Sequence, residues 1–172
     1  MRKEIKEFIR DKNKKTLIFA RNKNIDGISE WKKMRNPLIP PINFIVITFF
    51  KLCPSMRLKR FVFRKILGMK IGKNVGIAPS NFDSVFPELI SIGDNSIIGN
   101  KTYIMCHEFS QDKIRLGKVE IGKNVLIGGF SVIRSGVKIG DNSTIAMCSF
   151  VNKDIPTNEI WGGVPAKRIK KI

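Results

Sequence analysis

Histidine occurs once in this 172-residue sequence, at position 107, between Cys106 and Glu108. An imidazole with a pKa near 6.5 accepts a proton at neutral pH, so general-base chemistry is open to it. A single histidine excludes mechanisms that need two or three histidine ligands, including a three-histidine zinc site. Cys106 is a poor nucleophile partner for it, because adjacent residues of an extended segment point to opposite sides. Cys53, Cys106 and Cys148 are widely spaced and odd in number. They read as reduced thiols rather than a disulfide framework or a metal site. Glu108 reads as a solvated loop acid, with orientation of the imidazole as the other reading.

The elements that must position His107 are announced by a repeat. Ile71-Gly72-Lys73-Asn74, Ile92-Gly93-Asp94-Asn95, Ile121-Gly122-Lys123-Asn124 and Ile139-Gly140-Asp141-Asn142 are near copies of one tetrapeptide. Beneath them Ile121, Ile127, Ile133, Ile139, Ile145 and Val151 follow at intervals of six, as do Ile92, Ile98 and Ile104. Small or β-branched residues such as Ser96, Thr102, Val125, Ser131 and Ser143 stand four places after the anchors. A fixed period implies a stacked repeat. Six residues make one short strand and one corner, the aliphatic residue turned inward and Gly/Asn supplying the corner backbone. Three such units close a triangular coil, and successive coils stack as parallel strands about 4.8 Å apart. The spacing therefore predicts a mainly β chain, a triangular parallel β-helix over residues 71–151.

The intervals also locate two interruptions. Ile121 to Ile139 is one clean coil of 18 residues. Ile71 to Ile92 carries three extra residues near Ser84–Pro87, and Ile92 to Ile121 carries 11 between Met105 and Glu120. Loops thrown from a rigid solenoid commonly carry function. His107 lies at the base of the larger one, about residues 105–120.

Residues 1–70 form a separate, basic and mostly helical segment. They hold 19 of the 32 Lys/Arg but five of the 14 acids, whereas residues 71–172 hold 13 Lys/Arg and nine acids. Glu4 to Lys15 reads as a charged helix with Ile5, Phe8 and Ile9 on one side. Pro54 opens a second helix with apolar Leu58, Phe61, Val62, Ile66 and Leu67, closed by Gly68. Its apolar face is expected either to pack on the β-helix or to contact an anionic membrane surface, two roles that are compatible. The longest uncharged run, Asn36 to Phe50, has three prolines and is too short to span a bilayer. The charged N-terminus is not a secretory signal, so a cytoplasmic protein, peripheral to the inner face of the membrane at most, is expected. A formal charge of +18 also suggests a nucleic-acid-binding protein, but aromatic stacking platforms and a helix-turn-helix pattern are absent. A non-catalytic β-helix scaffold is the remaining alternative.

The hexads, the His-bearing insertion and the ending Val151-Asn152-Lys153-Asp154-Ile155-Pro156 with Gly162-Gly163-Val164-Pro165-Ala166-Lys167 resemble the hexapeptide-repeat acyltransferases. The branch resembled is that of maltose and galactoside O-acetyltransferases and related sugar or polysaccharide acetyltransferases, over about residues 70–172. The resemblance implies a left-handed β-helix, a homotrimer and acetyl-CoA as co-substrate bound between subunits, with no metal and no nucleic acid. It makes His107 the general base that deprotonates an acceptor hydroxyl. It places Asp83 where relatives hold the acceptor sugar, against the plainer reading of a turn residue. Gly129 falls where a backbone N–H meets the thioester, and Met147 along the pantetheine and adenine path. Asn152, Lys153, Lys167 and Lys170 match residues around the nucleotide phosphates, within a C-terminal extension of residues 152–172. The long basic N-terminal segment departs from the sugar acetyltransferases and points to a lipid-linked or envelope sugar as acceptor.

Overall fold

A computed structural model describes residues 1–22 and 29–172. The N-terminal part contains α1 (Lys3–Arg10), β1 (Thr16–Ala20), α2 (Trp31–Met34), α3 (Ile39–Lys51) and α4 (Met56–Lys65). Short strands follow: β2 (Lys70–Ile71), β3 (Gly76–Ile77), β4 (Asn81–Phe82), β5 (Ile90–Ile92), β6 (Ile97–Ile98) and β7 (Tyr103–Ile104). Next come β8 (His107–Phe109), β9 (Lys113–Gly117), β10 (Val119–Ile121), β11 (Leu126–Ile127), β12 (Val132–Ile133) and β13 (Lys138–Ile139). The chain ends with β14 (Thr144–Ile145), β15 (Phe150–Val151), β16 (Glu159–Gly162) and β17 (Lys167–Lys171).

Three parallel faces build the triangular β-helix. The first stacks β2-β5-β10-β13, the second β3-β6-β11-β14-β16 and the third β4-β7-β12-β15. The anchors lie in register from coil to coil, for example Ile104 beside Ile133 and Ile133 beside Val151. They are buried, as are Ser96, Thr102, Ser131, Ser143 and Ser149 four places later. The small buried residues close the corners. The Ser96 hydroxyl, for instance, donates to the Gly122 carbonyl at 2.7 Å and accepts from the Val125 N–H.

Glycine and asparagine divide the work at the corner between the first and second faces. Asn74, Asn95, Asn124 and Asn142 adopt positive φ between 54° and 60°, a region in which Asn is tolerated. Their side-chain amides form a ladder of hydrogen bonds from one coil to the next, reaching Asn158. Gly122 serves a different need. A Cβ there would lie 2.8 Å from the backbone nitrogen of Asp141 in the adjoining coil.

The two interruptions become ordered elements. The smaller is a 3₁₀ turn, Pro87–Leu89, preceded by buried Val85 and Phe86. The larger is the antiparallel hairpin β8–β9, and β1 adds to it as a third strand, from Thr16 opposite Gly117 to Ala20 opposite Lys113. The N-terminal segment thus braces the insertion that carries His107. The first helix is shorter than the charge pattern predicts, ending at Arg10 with Asp11 in extended conformation.

The second predicted helix departs in a more informative way. In α4, with Ser55 accepting from the Leu58 N–H as N-cap, Val62, Phe63 and nearby Leu67 are buried. Leu58, Phe61 and Ile66 stay exposed, and Lys59 is only 1% exposed. The reason lies at the open end of the prism. Strands β2, β3 and β4 are edges with no preceding coil, so their carbonyls need donors. Lys59 Nζ donates to the Ile77 and Lys51 carbonyls, Arg60 to that of Val75, and Arg64 to those of Ile71 and Gly72. Three of the five α4 cations, Lys59, Arg60 and Arg64, turn to cap the column, and much of the helix's apolar surface turns outward. Burial lowers the Lys59 pKa, partly offset by Cys53.

Candidate active site

Three short strands of the third face lead to the corner that holds His107. Strand β4 leads into Asp83, β7 into Cys106, His107 opens β8, and β12 leads into Arg134 and Ser135. The Asp83 side chain is fully buried and His107 is 17% exposed. Asp83 Oδ2 lies 2.5 Å from His107 Nδ1 and also accepts the backbone N–H groups of Cys106 (2.7 Å) and His107 (3.0 Å). Its Oδ1 accepts from the N–H groups of Val85 (2.8 Å) and Phe86 (2.9 Å). The rings of Phe86 and Phe109 meet the imidazole edge-on, at centroid distances of 6.5 and 5.4 Å.

Electrostatics fixes the tautomer. Burial raises the Asp83 pKa, but the hydrogen bond and charge of His107 and the backbone donors outweigh it, and the group is held below 3.8. An ionised carboxylate accepts, so Nδ1 carries the proton and Nε2 keeps its lone pair. Burial likewise disfavours the imidazolium, but the bond and charge of Asp83, with Glu108, prevail and raise the His107 pKa above 6.5. The result is a base strengthened and aimed by one carboxylate.

Two expectations require correction. Asp83 does not face an acceptor: both of its oxygens are committed to the turn and to His107, and nothing of it reaches solvent. Glu108 neither orients the imidazole nor lies free in solvent. It accepts from Arg134 Nε and Nη2 (2.9 and 2.8 Å) and from the Ser135 hydroxyl (2.5 Å). Burial raises its pKa, but Arg134 and Ser135 win and hold it low. This cross-coil pair ties the hairpin base to the next coil, and only the opposite charges of Glu108 and Arg134 hinted at it. Cys106 is fully buried, and desolvation with the charges of Asp83 and Glu88 pushes its thiol well up, which leaves it inert as a nucleophile.

The other predicted site residues lie elsewhere on the prism. Gly129 and Met147 occupy successive coils at the corner between the second and third faces, where the Gly129 carbonyl accepts from the Cys148 N–H. A Cβ on Gly129 would lie 2.8 Å from the Asn100 carbonyl oxygen. Met147 is exposed. From Gly129 to Ser135, which bonds Glu108 beside His107, the chain crosses the whole third face. Gly129 precedes β12 and Ser135 follows it, so the two corners lie at opposite ends of one face of the prism. Asn152 and Lys153 are exposed at the His107 corner two coils on, with Lys153 Nζ 5.0 Å from the Trp161 ring centroid. Lys167 and Lys170 are exposed on β17, paired with Gly162 and Ile160. Between the two corners, Asn81, Tyr103, Val132, Lys51, Lys101 and Phe130 line an open groove of about 490 Å³.

Comparison with known proteins gives this geometry its family. The model described as "Bacterial transferase hexapeptide (six repeats)" matches residues 118–153. The Bacillus subtilis (strain 168) protein named "Putative acetyltransferase YvoF" is 41% identical over 128 residues, 74% of each chain. The chain belongs to the hexapeptide-repeat acetyltransferases. Galactoside O-acetyltransferase of Escherichia coli (strain K12) is 38% identical over 109 residues, 59% of this chain and 53% of that one. Among solved structures, galactoside acetyltransferase in complex with coenzyme A superposes with a TM-score of 0.64 at 24% identity, covering 87% of this chain and 92% of that one. The hexapeptide-repeat acetyltransferase of Vibrio cholerae in complex with acetyl-CoA superposes at 0.62 and 20% identity, covering 86% and 98%. These likenesses bear on the fold, and the left-handed coil follows from them.

Proposed function

We propose that this acetyltransferase moves the acetyl group of acetyl-CoA to a hydroxyl of a sugar or a sugar-containing, lipid-linked acceptor, with His107 as general base. The observation that carries the proposal is the Asp83–His107 pair, a buried carboxylate that leaves one imidazole nitrogen unprotonated. Nε2 takes the proton of the acceptor hydroxyl as its oxygen attacks the thioester carbon. The tetrahedral oxyanion is stabilised by the Gly129 N–H. Collapse breaks the carbon–sulfur bond, and the imidazolium returns its proton to the departing CoA thiolate. The products are an O-acetyl ester and free CoA.

The distribution of residues over two corners supports a homotrimer. A neighbouring copy brings its Gly129 and Met147 corner to the His107 corner of the first, completing a cleft that one prism leaves open. Asn152, Lys153, Lys167 and Lys170 supply charge-assisted bonds to the nucleotide phosphates. In place of Asp83, Asn81 and Tyr103 of the groove hold the acceptor. Lys51 Nζ donates to Asn81 Oδ1 at 2.8 Å, which leaves the amide N–H₂ to bind oxygen. Incubation with acetyl-CoA and a panel of free, polymeric and lipid-linked sugars together with simple amines, following CoA release, tests the proposal. Acceptor-dependent release with a sugar is expected. Release with amines alone, or with none of the panel, contradicts it, as does a monomeric mass in solution.

A further inference from the structure

The helices that cap the prism expose a large apolar surface among the described residues. In α3, Leu38, Ile42, Ile45, Phe49 and Leu52 recur at alternating spacings of four and three along one stripe of the helix and its ends. All five are more than half exposed, Leu52 at 77% and Phe49 at 75%. Phe61 of the adjoining α4 is 57% exposed. Only four residues join the two helices, so they form one helical hairpin. Monomeric soluble proteins rarely expose contiguous apolar surface of this kind without using it.

Charge identifies what covers it. Residues 31–82 contain 11 Lys/Arg and neither Asp nor Glu. The other 120 residues hold 21 Lys/Arg against 14 acids. A second copy meeting this surface would bring cationic protein against cationic protein, face to face or face to flank. An anionic bilayer supplies both an apolar interior and the opposite charge. Arg57 and Lys65 are exposed on α4 beside Phe61. At 13 residues α3 is about 20 Å long, which suits lying in the interface and is too short to cross.

We infer that the α3–α4 hairpin is a monotopic membrane anchor, inserting Ile45, Phe49 and Leu52 into the headgroup–acyl boundary of an anionic leaflet while its inward cations hold the prism. The capping geometry explains why both can be true of one element. Lys59, Arg60 and Arg64 are spent on prism carbonyls, so the apolar residues are released to the outside.

The test is co-sedimentation of the full-length protein with phosphatidylcholine vesicles, with and without one-third phosphatidylglycerol, at low and high salt. Binding to the anionic vesicles is expected, weaker at high salt and about tenfold or more weaker without phosphatidylglycerol. The combined variant Ile45→Ser, Phe49→Ser, Leu52→Ser is expected to lose at least tenfold in partitioning with an unchanged far-ultraviolet spectrum, since all three side chains are exposed. Equal partitioning of the variant and the parent would overturn the inference, and so would absence of binding to the anionic vesicles. Loss of self-association in the variant without any vesicle binding would assign the surface to a protein partner instead. His107→Ala is expected to bind vesicles like the parent, so failure of the acetyl-transfer reading leaves this test unaffected.

Discussion

Asp83 and His107, 24 positions apart in sequence, are joined twice: one carboxylate oxygen meets both the ring nitrogen at 2.5 Å and the backbone N–H of His107 at 3.0 Å. The carboxylate therefore sets the path of the chain entering the hairpin and the direction of the imidazole together. Asp83→Asn retains the size but presents a neutral amide. Its turnover is expected to fall by about 10² to 10⁴, and its acid limb to move to lower pH because the imidazolium has lost its partner. The pH profile of kcat/KM distinguishes the two effects; a fall in rate with an unmoved limb would assign Asp83 to structure alone.

The raised His107 pKa fixes the direction of the parent's profile. With His107 as the proposed general base, activity requires the neutral ring and is expected to be lost as pH falls through a pKa raised above 6.5. Stability behaves differently. The raised His107 pKa contributes stability that is complete below 6.5 and disappears as pH rises through the folded value. The lowered Asp83 pKa contributes stability present above 3.8 and lost as pH falls through the folded value. Maximum stability is thus expected on the acid side of maximum activity, which thermal melts and initial rates across one pH series would compare.

Much of the prism was legible because its period is rigid. Ile121, Ile127 and Ile133 announce three faces, and the excess residues before Ile92 and Ile121 locate the 3₁₀ turn and the hairpin. The strand β1 was not legible, since Thr16–Ala20 is one short segment without a repeat and its partner lies about 100 residues away. The direction of α4 was hidden for a physical reason. Helical spacing shows which residues share a face, not which face meets unpaired carbonyls at an edge. The Asp83 contact and the Glu108–Arg134 pair both depend on how coils stack, which no local pattern near those residues encodes.

At the core, Ile133 is fully buried between Ile104 and Val151. Ile133→Ala is expected to cost about 2 to 5 kcal/mol, measured by denaturant unfolding. A cost below 1 kcal/mol would mean the column collapses to fill the gap.

The Asn124 corner separates backbone from side-chain effects. Asn124→Ala keeps positive φ only under strain and removes two rungs of the amide ladder, a loss of about 1 to 2 kcal/mol. Asn124→Gly loses the same rungs but relieves the backbone, so it is expected to be the milder change. If the two variants unfold alike, the ladder and not the conformation dominates.

The most direct measurement is turnover of His107→Ala alongside its affinity for acetyl-CoA, with the parent assayed on the same acceptor. Loss of about 10² to 10⁴ in kcat with cofactor affinity retained is the predicted result. Undiminished turnover in that variant would show that the proton leaves the acceptor by another route.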